Sequence, residues 1–173
     1  MTRKRAVFFT APVLLCTALI TALAGAQFYK PNREARLAVT LKNKERYIAR
    51  QPVWVTVMLS NQGREPVLVN SRMLFNQYPL KGEVSFTIEG PKRQTYLLRK
   101  MVIPQELRDS DLAVLRAGET RERAVDLSEL YDVRKRGKYK VQVLYYNSVD
   151  LEKEGLKTWR GSIASEPAEI ILQ

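Results

Sequence analysis

The chain contains no histidine, and its single cysteine, Cys16, lies near the N-terminus. Without histidine there is no Ser-His-Asp triad, no imidazole base and no HExxH zinc helix. Without a cysteine beyond residue 26 there is no thiol nucleophile, no zinc knuckle and no disulfide scaffold in the rest of the chain. P-loop and GxGxxG phosphate-binding patterns are missing, as are internal repeats, low-complexity tracts and any long amphipathic helical pattern. No cofactor and no metal are therefore expected.

One long apolar run is present. Arg3, Lys4 and Arg5 precede an apolar stretch over residues 6–23, and Ala24, Gly25 and Ala26 give the small-x-small pattern of a signal peptidase site. Residues 1–26 are expected to form a hydrophobic signal helix, cleaved after Ala26 so that the mature chain begins at Gln27. Thr10, Pro12 and Thr17 interrupt the run. An uncleaved anchor is the alternative, because about 20 apolar residues span a bilayer. A lipoprotein through Cys16 is the third option, although bulky Leu15 precedes that cysteine. All three place the domain outside the cytoplasm: exported to the periplasm or beyond, or held at the inner membrane by the N-terminal helix.

Removing 26 of 173 residues leaves 147, the size of one domain. Three of the 29 basic residues lie in the leader, so 26 remain against 18 acids, a charge of +8. Such a surface attracts anionic partners and also supports solubility.

Residues 27–36 are polar, contain Pro31 and read as a linker. Residues 37–173 show short runs of alternating apolar and polar residues separated by Gly, Pro, Asn and Asp, the mark of an antiparallel sandwich. Leu37, Val39 and Leu41 open the series. The run from Val53 to Leu59 is rich in β-branched and aromatic residues and is expected to be buried and central. Pro66 stands at the start of Val67, Leu68 and Val69, where a missing N–H does little harm. Met73, Leu74, Phe75 and Tyr78 are expected to cap the core from an irregular stretch. Val84, Phe86 and Ile88 alternate with polar residues. Gly90 and Pro91 end that strand, with a return through Tyr96, Leu97 and Leu98. Further strands are expected at Ala113 to Leu115 and Thr120 to Leu127, then a helical turn capped by Asp126 or Ser128. Tyr139, Val141, Val143 and Tyr145 share one face of a half-buried strand, with Lys138, Lys140 and Gln142 on the wet face. Residues 150–157 read as a loop, residues 159–163 as a strand, and residues 168–172 close the domain. The expected fold is all-β, an antiparallel immunoglobulin-like (Greek-key) sandwich of about seven to nine strands.

The order Ala117-Gly118-Glu119-Thr120, Asp126-Leu127-Ser128, Tyr131 and Gly137-Lys138-Tyr139, followed by Trp159-Arg160-Gly161 and Ser165, is similar to bacterial exported immunoglobulin-like domains. It also resembles the non-catalytic N-terminal module of aspzincin (deuterolysin-type) metallopeptidases. The resemblance implies a fold and a habit of binding other chains. The peptidase part of that family binds zinc through histidines, so no catalytic residue carries over to this chain. A corner tyrosine that bonds back to the backbone belongs to such sandwiches. Tyr139 is the first candidate and Tyr131 the second.

The carboxylate groupings are Asp109 with Asp111, Glu152 with Glu154, and Asp126 with Glu129 and Asp132. They read as loop acids and caps, with a carboxylate-dependent hydrolase as the remote alternative. Asp109 and Asp111 lack the spacing and glycine of an EF-hand calcium loop.

The candidate contact surface is basic. Arg134, Lys135 and Arg136 enter a strand that continues with Lys138 and Lys140, while Arg121 and Arg123 share one face of an earlier strand. Were the two strands neighbours, the seven would form one stripe able to hold phosphates or acidic side chains; an ordinary solvated edge is the plainer reading. Tyr146 and Trp159 offer stacking surface if exposed, and otherwise pack in the core. The expected function is a non-enzymatic binding module of the cell envelope. Its partner would be a protein or an anionic envelope polymer. A membrane-anchored domain resting its basic face on anionic lipid is the alternative. Nucleic acid is not expected, since no binding motif is present and export leads away from it.

Overall fold

A computed structural model describes residues 36–76, 83–99 and 106–173. The signal or anchor segment, the linker up to residue 35, and Tyr78 lie outside the described residues.

The regular structure of the described residues is almost all strand. In order, the strands are β1 (Leu37–Lys42), β2 (Arg46–Tyr47), β3 (Trp54–Asn61), β4 (Val67–Asn70), β5 (Val84–Glu89) and β6 (Leu112–Leu115). They continue with β7 (Thr120–Asp126), β8 (Gly137–Asn147), β9 (Glu152–Lys153), β10 (Leu156–Lys157), β11 (Gly161–Ala164) and β12 (Ala168–Leu172). A 3-10 turn at Asp109–Asp111 precedes β6, and one short helix, α1 (Leu127–Leu130), follows β7. Nine of the described strands have four residues or more.

Two sheets carry the fold. The first is antiparallel, in the order β1-β3-β7. The second is built on β8, which pairs with β5 along one edge and with β12 and then β11 along the other. β2 adds to β12, and that pairing alone among the named strands is parallel. A β4-β6 ribbon and a β9-β10 hairpin complete the set.

Alternation explains the layering. Val55, Val57 and Leu59 of β3 face inward, as do Phe86 and Ile88 of β5, Tyr139, Val141, Val143 and Tyr145 of β8, and Ile170 and Leu172 of β12; all join one buried cluster. Both sheets thus turn an apolar face to a shared core, in the manner of a sandwich. Each fully buried aliphatic side chain there contributes about 1.5–3 kcal/mol relative to exposure. Trp159 leaves the strand register and packs its ring on Tyr145, centroids 5.9 Å apart. It is core, not a stacking surface.

Ser165 lets β8 exchange one partner for another. Its N–H donates to the Val143 carbonyl, its hydroxyl oxygen accepts from the Val143 N–H at 3.1 Å, and the hydroxyl donates to the Glu166 carbonyl at 2.8 Å. The side chain supplies the bonds that a strand would have made, so the backbone crosses from β11 to β12 with its polar groups satisfied.

Several sequence expectations change. β3 is central in its sheet, but only alternate residues are buried, and Trp54 is 56% exposed. Its outer face is only half-buried, which continuous apolar character does not reveal. Residues 96–98 form no strand. The turn closes through the Glu89–Thr95 bridge and a bond from Tyr96 N–H to the Ile88 carbonyl, after which exposed Leu97 breaks the alternation. Residues 152–157, read as part of a loop, form the β9-β10 hairpin. Glu154 and Gly155 both have positive φ (54° and 74°), as a tight type I′ turn requires. The strand expected from Trp159 starts at Gly161. Met73 and Phe75 do cap the core, Met73 in the left-handed region at φ 48°.

Candidate basic site at one end of the larger sheet

Strand register brings three distant segments to one sheet end. Tyr47 of β2 stands beside Leu172 of β12, and Leu172 beside Gly137 of β8. The residues just beyond, Ile48, Gln173 and Arg136, therefore leave the sheet together. Ala49 N–H ties the first segment to the Gln173 carbonyl at 2.8 Å. On the far side of β8, the turn after β5 approaches so closely that a Cβ on Gly137 would lie 2.3 Å from Pro91 Cγ. Gly137 also has φ 141°, a conformation L side chains rarely adopt. Glycine is required there for both reasons.

An open cavity of about 730 Å³ lies at this end. It is lined by Ile48, Ala49 and Arg50, by Arg134, Lys135 and Arg136, and by Gln173. A second hollow of about 160 Å³ shares Lys135 and Arg136 and adds Pro91, Lys92, Gln94 and Tyr96. Arg50, Lys92, Arg134, Lys135 and Arg136 thus gather around two adjoining hollows, and among the described residues no acidic side chain lines either. Asp132 lies just outside, 3.9 Å from Arg134, with both side chains more than half exposed; such a pair is weak.

The loop carrying these cations is anchored from below. The Tyr139 hydroxyl donates to the Lys135 carbonyl at 2.7 Å, four residues back along the chain. This is the bond expected of a corner tyrosine. The ring is buried and packs on Tyr96, centroids 5.7 Å apart. Burial, reinforced by Tyr96, raises the Tyr139 pKa. Tyr131 plays a different part. Its hydroxyl reaches the Phe86 carbonyl on β5 at 3.3 Å, and burial pushes its pKa up to about 12.

Arg50 has φ 66°. A non-glycine residue in that region costs on the order of 1 kcal/mol. The turn holding it is closed by Gln51 N–H donating to the Ile48 carbonyl at 3.2 Å.

The seven-residue stripe does not form. β7 pairs with β3 in the first sheet, whereas β8 lies in the second, so Arg121 and Arg123 are not beside the β8 lysines. Arg123 is engaged elsewhere. Its guanidinium lies 4.9 Å above the Phe75 ring and donates to the carbonyls of Arg72 and Met73, clamping that irregular segment. Lys138 and Lys140 are on the wet face of β8, as the alternation requires, but acids flank them. Lys138 pairs with Glu169 at 3.2 Å, and Lys140 stands between Glu169 and Glu89 in register. Of the seven, only Arg134, Lys135 and Arg136 share the cavity. Arg50 and Lys92, which join them, leave no sequence signal, because their proximity depends on pairings across more than 80 residues and on a turn packed against Gly137.

Two of the carboxylates singled out in the sequence have structural tasks. Asp126 caps α1, accepting from Ser128 N–H at 2.9 Å and Val53 N–H at 2.8 Å. Asp111 accepts from Arg108 N–H at 2.9 Å. Glu152 and Glu154 lie on the exposed hairpin. A buried network unseen in the sequence joins Glu83 to Arg72 at 2.6 Å and to Asn70 at 2.8 Å. Among the described residues, no group of three His, Cys, Asp or Glu side chains is placed to hold a metal ion, and no helix is long and apolar enough to cross a membrane. In comparison with known proteins, no family model matches the chain, and no curated protein matches it.

Proposed function

We propose that the chain is a non-enzymatic, exported binding module of the cell envelope, an immunoglobulin-like Greek-key sandwich that meets an anionic partner through the basic end of its larger sheet. One observation carries the reading: Arg50, Arg134, Lys135 and Arg136 line an open cavity, Lys92 lines an adjoining hollow that shares Lys135 and Arg136, and no acidic side chain among the described residues lines either. Cations clustered in a concavity focus their field and attract anions. Arginine adds bidentate geometry for phosphate or carboxylate oxygens. The fold assignment is supported by the shared core of the two sheets and by the Tyr139–Lys135 corner. Export is supported by the basic, apolar and small-residue order of residues 1–26. A non-catalytic role is supported by the capping and pairing of Asp126, Asp111 and Glu83.

The test is calorimetric titration of the chain with tripolyphosphate, poly-glutamate and anionic vesicles, comparing Lys135→Glu with Arg121→Glu. Both variants change the net charge equally. The reading expects at least one anionic probe to bind, with binding weakened by salt and by Lys135→Glu but not by Arg121→Glu. Equal losses in the two variants, or no binding to any probe, would reject it.

A further inference from the structure

The cavity has an apolar lip. Ile48 lines it and is 64% exposed. The other end of the same loop carries Trp54, 56% exposed. The loop is closed on itself, because the Tyr47 hydroxyl donates to the Trp54 carbonyl at 2.7 Å, so residues 47 and 54 are held together, with Ile48, Arg50, Gln51 and Pro52 exposed between them and Val53 buried. Only three large hydrophobic side chains among the described residues are prominently exposed, and two of them flank this loop. Scattered exposed apolar residues are ordinary. Ile48 and Arg50 line the cavity together with Arg134, Lys135 and Arg136, and Trp54 stands at the other end of the same closed loop; one loop that offers an exposed isoleucine, an exposed tryptophan and a cavity-lining arginine has its own chemistry. Tryptophan favours the membrane–water boundary, and basic residues favour an anionic leaflet. A soluble polyanion would use the cations and leave Ile48 and Trp54 without a role.

We propose that this end of the sandwich docks on the surface of an anionic phospholipid membrane. A headgroup phosphate enters the basic cavity, and the side chains of Ile48 and Trp54 settle among the headgroups. This rests on the reading of the cavity as an anion-binding site and names its partner.

The chain carries its own reporter. It has two tryptophans, of which Trp159 is buried and Trp54 exposed. The experiment adds vesicles of phosphatidylcholine with one quarter phosphatidylglycerol, or of phosphatidylcholine alone, to the full chain and follows tryptophan emission. The expected result is a blue shift with the anionic vesicles only, reversed by salt and abolished in Trp54→Phe. The Lys135→Glu/Arg136→Glu variant should bind the anionic vesicles at least about tenfold more weakly, since each basic residue near such a surface is worth about a fivefold factor. Ile48→Ser, which leaves every charge in place, should reduce the shift. No shift, or the same shift with both vesicle types, overturns the proposal. Saturable binding of tripolyphosphate that needs Lys135, with no response to vesicles, also overturns it while leaving the anion-binding reading standing. If charge reversal changes neither vesicle nor tripolyphosphate binding, both fall together.

Discussion

The Tyr139 hydroxyl donates to the Lys135 carbonyl at 2.7 Å, and Lys135 lines both basic hollows. One buried ring therefore couples the core of the larger sheet to the loop that carries its cations. Tyr139→Phe removes this bond without opening a cavity. A net loss of about 1 kcal/mol is expected, near 3 °C in Tm for a domain of this size. Thermal denaturation checks it, and an unchanged Tm would show that the bond contributes nothing to the corner.

Asp126 holds both the start of α1 and the entry to β3 through bonds to Ser128 and Val53. Asp126→Ala leaves the Val53 N–H, on a fully buried residue, without its side-chain acceptor. A loss of about 2 kcal/mol is expected, at the upper end of cap substitutions. Urea unfolding measures it; a loss below about 0.5 kcal/mol would contradict the capping role.

Glu83 is buried and paired with Arg72 at 2.6 Å. Removing one member leaves the other charge in a poorly solvated place. Glu83→Ala is expected to cost about 3 kcal/mol, and the Arg72→Ala/Glu83→Ala double variant less than the two singles added. Additive losses would mean that the pair is not coupled.

Alkaline pH should unfold the protein through its tyrosines. Tyr131 is pushed up to about 12 by burial, and Tyr47, Tyr139 and Tyr145 are raised by the same cause. The folded state holds these protons more tightly than the unfolded chain, where tyrosine titrates near 10. Their contribution is therefore complete below pH 10 and declines as pH rises toward 12. Tyrosinate absorbance should rise in two steps, exposed rings first and buried rings together with loss of structure. A single step near 10, with the fold intact, would contradict the burial.

Much of the sandwich was legible because its signal is local. Period-two alternation over Tyr139, Val141, Val143 and Tyr145 gives both the strand and its buried face, and Asp126 before Leu127 gives the cap. Hairpin β9-β10 escaped because its strands are two residues long and leave no period to detect. The site was legible only in part. Arg134, Lys135 and Arg136 are contiguous and stand out. The seven-residue stripe required β7 and β8 to be neighbours, a condition that distant pairing decides and that does not hold, and the parallel β2-β12 contact that brings Arg50 to the cavity has no local trace.

The central claim is that anions meet this protein at the end of the larger sheet. It is tested most directly by amide chemical-shift mapping of the isotopically labelled chain during titration with tripolyphosphate and, separately, with a short-chain phosphatidylglycerol. The account predicts that shifts caused by the ligand that binds concentrate at Ala49, Arg50, Lys135, Arg136 and Gln173, with Arg121 and Arg123 unmoved. Shifts centred on β7, or spread evenly over the surface lysines and arginines, would contradict it.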